Sequence, residues 1–266
     1  MKNITLGRYL PLDTIIHTID PRAKILALLV ILVTVFFDSG FLGYGIIGVF
    51  CVSVVLMAKL TITYILKSLR PMMFMLIMLL VLNILIIKQG EILFTIGSFR
   101  VYENAVFQTI YVVVRLVLII SITTILTATT KPLDLTLGIE SLLTPFKKIG
   151  FPAHEVAMVI SIALRFIPTL MEETERIMKA QASRGVDFKE GRLKEKITAI
   201  ISLIVPLFIS AFQRAEDLAD AMESRSYNPE AKRTRYKQLS WSLLDTISLG
   251  LSLSLMLVII FISVVN

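Results

Sequence analysis

Residues 71–88 read PMMFMLIMLLVLNILIIK, and before Lys88 the stretch holds one polar side chain, Asn83. A bilayer span takes about 20 predominantly apolar residues. In lipid, each span must satisfy its own backbone polar groups, which favours helices. Four further segments read the same way, at about 25–38, 41–58, 105–128 and 242–265. The expected fold is therefore an all-α polytopic membrane protein with about five transmembrane helices. Composition agrees. Hydrophobic residues make up 56% of the chain and charged residues 18%, against about 45–50% and about 25% in soluble domains. The first apolar run begins only after Lys24, so no secretory signal peptide is expected.

Basic residues give the expected orientation. Lys2, Arg8, Arg22 and Lys24 precede the first span, and Lys59, Lys67 and Arg70 follow the second. Cytoplasmic flanks carry the Lys/Arg excess, so the N-terminus is expected inside. Asp38, Ser39 and Gly40 leave room for a tight hairpin between the first two spans. The loop near 89–104, with Glu91, Arg100 and Glu103, fits the outer face. Trp241 and Tyr236 sit where an interfacial aromatic belt would precede the last span. The formal charge of +7 is accounted for by this bias, and no nucleic-acid partner is expected.

Several chemistries lack the residues they need. Cys51 is the only cysteine, and His17 and His154 are the only histidines, so neither an internal disulfide nor a multi-histidine metal site is expected. No Gly-Lys dipeptide occurs, which removes the phosphate-cradling P-loop. GYGIIG at 43–48 matches the dinucleotide fingerprint but lacks its strand and its acidic residue, and close helix packing explains it better. EETER at 172–176 faintly resembles membrane-embedded prenyl-protein proteases, but its spacing is off. Asp20-Pro21 reads as an N-cap and first-turn proline opening the first span. Arg115 falls near the middle of 105–128, where a lone charge is costly. It is expected to face the bundle, with Asn83 as one candidate partner, or to contact another subunit.

The region 131–238 is different. Two apolar stretches, 153–170 and 197–212, could pass for short spans. Between them lie Arg176, Lys179, Arg184, Lys189, Arg192, Lys194 and Lys196. Spanning would export this basic segment, against the positive-inside bias. Arg165 would add roughly 2.5–3.5 kcal/mol at the bilayer centre. Both are expected to be long amphipathic helices on or under the inner face, at about 152–184 and 193–225. On the first, Ile167, Leu170, Met171, Thr174, Ile177, Met178 and Gln181 form one stripe, with Glu172, Glu173, Glu175, Arg176 and Lys179 largely opposite. On the second, Ala211, Phe212, Ala215, Leu218, Ala219 and Met222 face away from Glu216, Asp217, Asp220 and Glu223. Small residues on a stripe allow close approach, so the helices are expected to cross. Pro168 and Pro206 would bend them, and Asn228 and Pro229 stop the second.

The ends match. AQASRG at 180–185 and AMESRS at 221–226 repeat Ala-x-x-Ser-Arg 41 residues apart. An arginine at a helix C-terminus gains about 0.3–1 kcal/mol from the dipole. A matched pair on matched helices points further, to two docking prongs, because the guanidinium fork fits carboxylates bidentately.

Three stretches carry a family likeness: GRYLPLDTIIHTIDPRAK at 7–24, ASRG at 182–185 and ESRSY at 223–227. Together they resemble the transmembrane T component of energy-coupling-factor vitamin transporters, over essentially the whole chain. The resemblance implies that Ala182, Ser183, Arg184 and Gly185, with Glu223, Ser224, Arg225 and Ser226, dock into grooves of two ABC ATPase subunits. Apolar faces would hold a vitamin-binding S component, with Met171, Met178, Ala211, Ala215, Ala219, Met222 and Arg115 as candidates. ATP and Mg would be bound by the partner ATPases, with no cofactor or metal in this chain and no catalytic residue. Ser183 interrupts the first motif, and Ser224 and Ser226 replace small residues of the second. Ser226 lacks glycine's freedom at positive φ, so the sequence leaves the turn after Arg225 open.

The expected organisation is a four-span membrane domain over 1–130, a cytoplasmic coupling-helix domain over 131–238 and a last span over 239–266, in the cell membrane. The expected role is a non-catalytic coupling scaffold. One alternative is a conventional ABC importer permease, which normally supplies a single coupling loop. The other is an intramembrane hydrolase, whose nucleophile, base or metal cluster is not visible in the spans.

Overall fold

The computed structural model describes residues 9–37, 39–96, 99–149, 152–188, 192–228 and 238–265. Lys2, Gly7, Arg8, Asp38, Lys189, Pro229 and Tyr236, used above, lie outside them. The chain is an all-α polytopic membrane protein with one small hairpin. It divides into two compact units, Gly7–Leu142 with Leu239–Asn266, and Leu143–Gln238.

The first unit contains α1 (Ile15–Thr18), α2 (Pro21–Val35), α3 (Gly40–Met57), α4 (Ile62–Leu69), α5 (Met73–Ile86), α6 (Glu103–Thr129), α7 (Pro132–Leu143, except its last residue) and, after α8 and α9 of the second unit, α10 (Leu243–Val265). A 3-10 turn, Arg70–Met72, joins α4 to α5. Pro71 fits that turn because it has no N–H to leave unpaired. Strands β1 (Ile92–Ile96) and β2 (Phe99–Tyr102) pair antiparallel in what the sequence suggested was a loop. The alternating β-branched and aromatic residues either side of Gly97-Ser98 were the available sign.

Among the described residues, six helical stretches are long and apolar enough to cross a membrane: α3, Ile62–Ile86, α6, α10, and the two long helices of the second unit. The expected first span differs. It is α2, with 15 residues, about 22 Å at 1.5 Å per residue against about 30 Å of hydrocarbon.

The core sits between α2, α3, α6 and α10. Ile31, Val35, Tyr44, Ile47, Cys51, Leu118, Ile122 and Ile259 form one buried cluster. Ala23, Val55, Ala58, Leu60, Ile125 and Ala128 form another with Ile16 and Ile19 of the entry segment. Of the GYGIIG glycines, only Gly43 is closely packed. A Cβ there would meet Ser39 Oγ at 1.9 Å, whereas Gly45 and Gly48 face open space.

A polar knot ties the entry segment to α10. Asp20 caps α2 by accepting from the Arg22 N–H at 2.8 Å, and pairs with the Arg22 guanidinium at 3.0 Å. The Asp20 N–H donates to Asp245 Oδ1 at 2.7 Å. Asp245 Oδ2 accepts from the Ser242 N–H and hydroxyl. Lys24 Nζ, buried, donates to Thr129 O at 3.0 Å and Thr130 Oγ1 at 3.1 Å. His17 Nε2 bonds the Leu10 carbonyl at 3.0 Å, so Nδ1 accepts the Thr14 hydroxyl at 2.7 Å. Burial lowers the His17 pKa below its ordinary 6.5, in keeping with a neutral ring.

Arg115 faces the bundle, but its partner is not Asn83. Its Nε and Nη2 donate to Tyr44 Oη at 3.0 and 2.6 Å, and its guanidinium stands 5.7 Å from the Phe36 ring centroid. Asn83 donates instead to Thr109 Oγ1 at 3.0 Å. Arg115 lies three residues from Leu118, which packs with Tyr44 in the core cluster, whereas Asn83 meets α6 nearer its start. Tyr44→Phe removes the acceptor and strands a half-buried charge. It should cost about 1–3 kcal/mol, read as a lower melting temperature in detergent, while Arg115→Met with Tyr44→Phe should recover most of the loss.

Candidate functional site

The second unit is dominated by α8 (Ala153–Ser183) and α9 (Leu193–Ser224). Their bounds follow the sequence: Pro152 precedes α8, and each helix is capped at its C-terminus by an arginine, Arg184 and Arg225. Glu195 accepts from the Arg192 N–H at 2.9 Å, satisfying a donor where α9 begins.

Three contacts set the register. Gln181 Nε2 donates to Ser202 O at 3.2 Å, Arg214 Nη2 reaches Glu173 Oε2 at 3.5 Å, and Tyr227 Oη lies 2.9 Å from Met158 Sδ. Positions fall on α8 as they rise on α9, so the helices run antiparallel. The Arg184 end therefore lies beside the first turns of α9, bordering a cavity of about 470 Å³ lined by Gly185, Val186, Lys194, Glu195, Thr198 and Ser202. The Arg225 end lies roughly 40 Å away, about 27 residues further along α9 at 1.5 Å each.

The two ends close with the same backbone turn. After α8, the Gly185 N–H donates to Ala182 O and the Val186 N–H to Gln181 O, both at 3.0 Å. After α9, the Ser226 N–H donates to Glu223 O at 2.8 Å and the Tyr227 N–H to Met222 O at 2.9 Å. Each is a Schellman motif, whose defining residue takes left-handed φ. Gly185 has φ +85° and Ser226 φ +53°. The turn after Arg225 is thus the turn after Arg184, made by a residue less suited to it. Left-handed φ costs a non-glycine about 1–2 kcal/mol. Ser226→Gly should accordingly raise stability by about 1 kcal/mol and Gly185→Ser lower it by a similar amount, checked by melting each variant in detergent. Ala182, Ser183, Arg184, Gly185, Glu223, Ser224, Arg225 and Ser226 are all exposed.

The helix faces need one correction. Glu173, read above as part of the polar face, is buried at 9% exposure. It bonds Arg176 Nη2 at 2.6 Å as well as Arg214. A residue four positions from Ile177 shares its face, and the two arginines compensate the buried carboxylate. Arg214 was not singled out from the sequence. The i, i+3 pair of Glu173 and Arg176 was its visible half.

The candidate apolar contacts separate. Met178, Ala211 and Met222 are half-buried, whereas Met171, Ala215 and Ala219 are exposed. A larger exposed surface lies nearer the start of α9, where Ile197, Ile200, Ile201, Ile204, Val205, Phe208 and Phe212 are each at least half exposed. Their three- and four-residue steps make one continuous ridge, evident in the 197–212 run. Among the described residues no group of three or more His, Cys, Asp or Glu could hold a metal ion.

Comparison with known proteins gives a consistent result. The family model described as CbiQ, cobalt transport protein, matches residues 13–236. The energy-coupling factor transporter transmembrane protein EcfT of Bacillus subtilis (strain 168) is 44% identical over 246 residues, covering 92% of this chain and 93% of that protein. The protein of the same name from Thermosediminibacter oceani is 45% identical over 245 residues, with 92% of each covered. That of Macrococcus caseolyticus is 44% identical over 262 residues, with 98% of each covered. The residues matched by the family model include α1 to α9 and both arginine turns. The chain belongs to the family of energy-coupling factor transporter transmembrane proteins.

Proposed function

We propose that this chain is the membrane scaffold and energy-coupling subunit of an energy-coupling-factor importer in the cell membrane, with its N-terminus in the cytoplasm. Two ABC ATPase subunits dock at the Arg184 and Arg225 turns, one at each end of the antiparallel pair. Each guanidinium enters an acidic groove, where a bidentate pair suits its planar fork. ATP and Mg belong to those partners, and no chemical step is assigned to this chain. The observation that carries the reading is the repetition of one turn, with an exposed arginine as its cap, at two sites about 40 Å apart by helix rise. A permease with a single coupling loop has no use for the second.

The ridge on α9 and the apolar spans hold a substrate-binding membrane partner, the S component, which selects the vitamin. Movement of the ATPases against each other shifts the two ends, and the helices pass that shift to the S component. The family description mentions cobalt, while the EcfT relatives are named for coupling. A cargo set by the partner accommodates both.

Affinity purification of the full chain in mild detergent tests this. Two ATPase subunits and a small membrane protein should co-elute. A chain that emerges alone, or with one copy of a single ATPase, would refute the reading.

A further inference from the structure

Pro206 leaves a carbonyl without its usual partner. In an α-helix the N–H of residue i bonds the carbonyl of residue i−4. Pro206 lies inside α9 and has no N–H, so the Ser202 carbonyl loses its intrahelical donor. The Gln181 side chain, from α8, donates to that oxygen at 3.2 Å. The Gln181 main chain has a second task. Its carbonyl accepts from both the Arg184 and Val186 N–H groups at 3.0 Å, closing the turn on which Arg184 stands. One residue therefore holds the arginine turn through its backbone and the neighbouring helix through its amide.

The other end lacks this arrangement. Met222 occupies the corresponding place, and its carbonyl accepts from the Tyr227 N–H. A thioether has no proton to donate. A tie there is the Tyr227 hydroxyl on the Met158 sulfur, a weak acceptor.

We propose that Gln181 is a positioning residue, fixing the Arg184 turn against α9 through the Ser202 carbonyl that Pro206 releases. Its meaning for transport rests on the docking role proposed above for Arg184. The geometric claim does not.

Spin labels give the geometric test. In the full-length chain in detergent, with Cys51→Ser, nitroxides are placed at Asp187→Cys and Phe208→Cys and their distance distribution is measured. Gln181→Met should raise the population of detached turns about fivefold, the equivalent of one neutral hydrogen bond. Pro206→Ala restores a backbone N–H that reclaims the Ser202 carbonyl. Gln181→Met should then add nothing in the Pro206→Ala background. An unchanged distribution in Gln181→Met, or effects of the two substitutions that simply sum, would overturn the proposal.

The functional arm compares ATPase retention in the purified complex. Gln181→Met should weaken it about fivefold, and Arg184→Ala more. Retention that survives Gln181→Met but is lost in Arg184→Ala would overturn the positioning role. If Arg184→Ala itself retains the ATPase, the docking reading has failed, and the label distances alone decide the role of Gln181.

Discussion

A chain carrying both Arg184→Ala and Arg225→Ala should insert and fold normally, yet lose its ATPases on purification and fail to support uptake. Both side chains are exposed, so neither contributes appreciably to the protein's own stability. In a closed groove the balance reverses, because removing one member of a buried charge pair strands the other. Each substitution should weaken retention by at least about 30-fold. The single substitutions separate the two ends, since each should release one ATPase first. Blue-native electrophoresis, with substrate uptake in vesicles, provides the measurement. Full uptake by the double variant, with both ATPases retained, would end the idea that the arginines are the prongs.

The second large effect lies in the other unit and concerns stability. Asp245 is 1% exposed and accepts from the Asp20 N–H, the Ser242 N–H and the Ser242 hydroxyl. Asp245→Ala would leave these donors without their acceptor, and the N–H of the buried Asp20 cannot turn to water. At about 1–3 kcal/mol per stranded group, the loss should reach roughly 3 kcal/mol and lower the melting temperature by about 10 °C. Asp245→Asn keeps the size and part of the acceptor capacity and should cost clearly less. Trp241 reports on the site directly. It is the only tryptophan, it donates to Thr246 Oγ1 at 2.9 Å, and the Arg22 guanidinium stands 5.7 Å from its ring centroid. Loosening the knot should shift its emission to the red. An Asp245→Ala protein with unaltered melting and emission would show that the network is dispensable.

Much of the architecture was legible because it depends on local pattern. Uninterrupted apolar runs dictate spans, and Asp20-Pro21 dictates a helix start. The repeated Ala-x-x-Ser-Arg marked where α8 and α9 stop, to within one residue. Reading failed where the answer depended on which side chains meet across helices. Glu173 carries the same charge as Glu172 and Glu175, and what sets it apart across the helix pair is Arg214, 41 positions away. Asn83 was a reasonable neighbour for Arg115 until the rotation of α6, which turns the guanidinium to Tyr44, was known. Ser226 was ambiguous for another reason. Its intrinsic preference opposes the left-handed turn, and the two Schellman hydrogen bonds outweigh that preference. The antiparallel order of α8 and α9 also lay beyond the pattern, since an apolar stripe gives a face and no direction.

The ridge from Ile197 to Phe212 also bears on how the protein is made. Those side chains remain at least half uncovered in the folded monomer, so completing the chain does not complete its protection from water. A copy leaving the ribosome without lipid or partner to shelter that ridge carries a ready nucleus for aggregation. Under the proposed function, a copy made without its partners should therefore aggregate or be degraded sooner than one made with them.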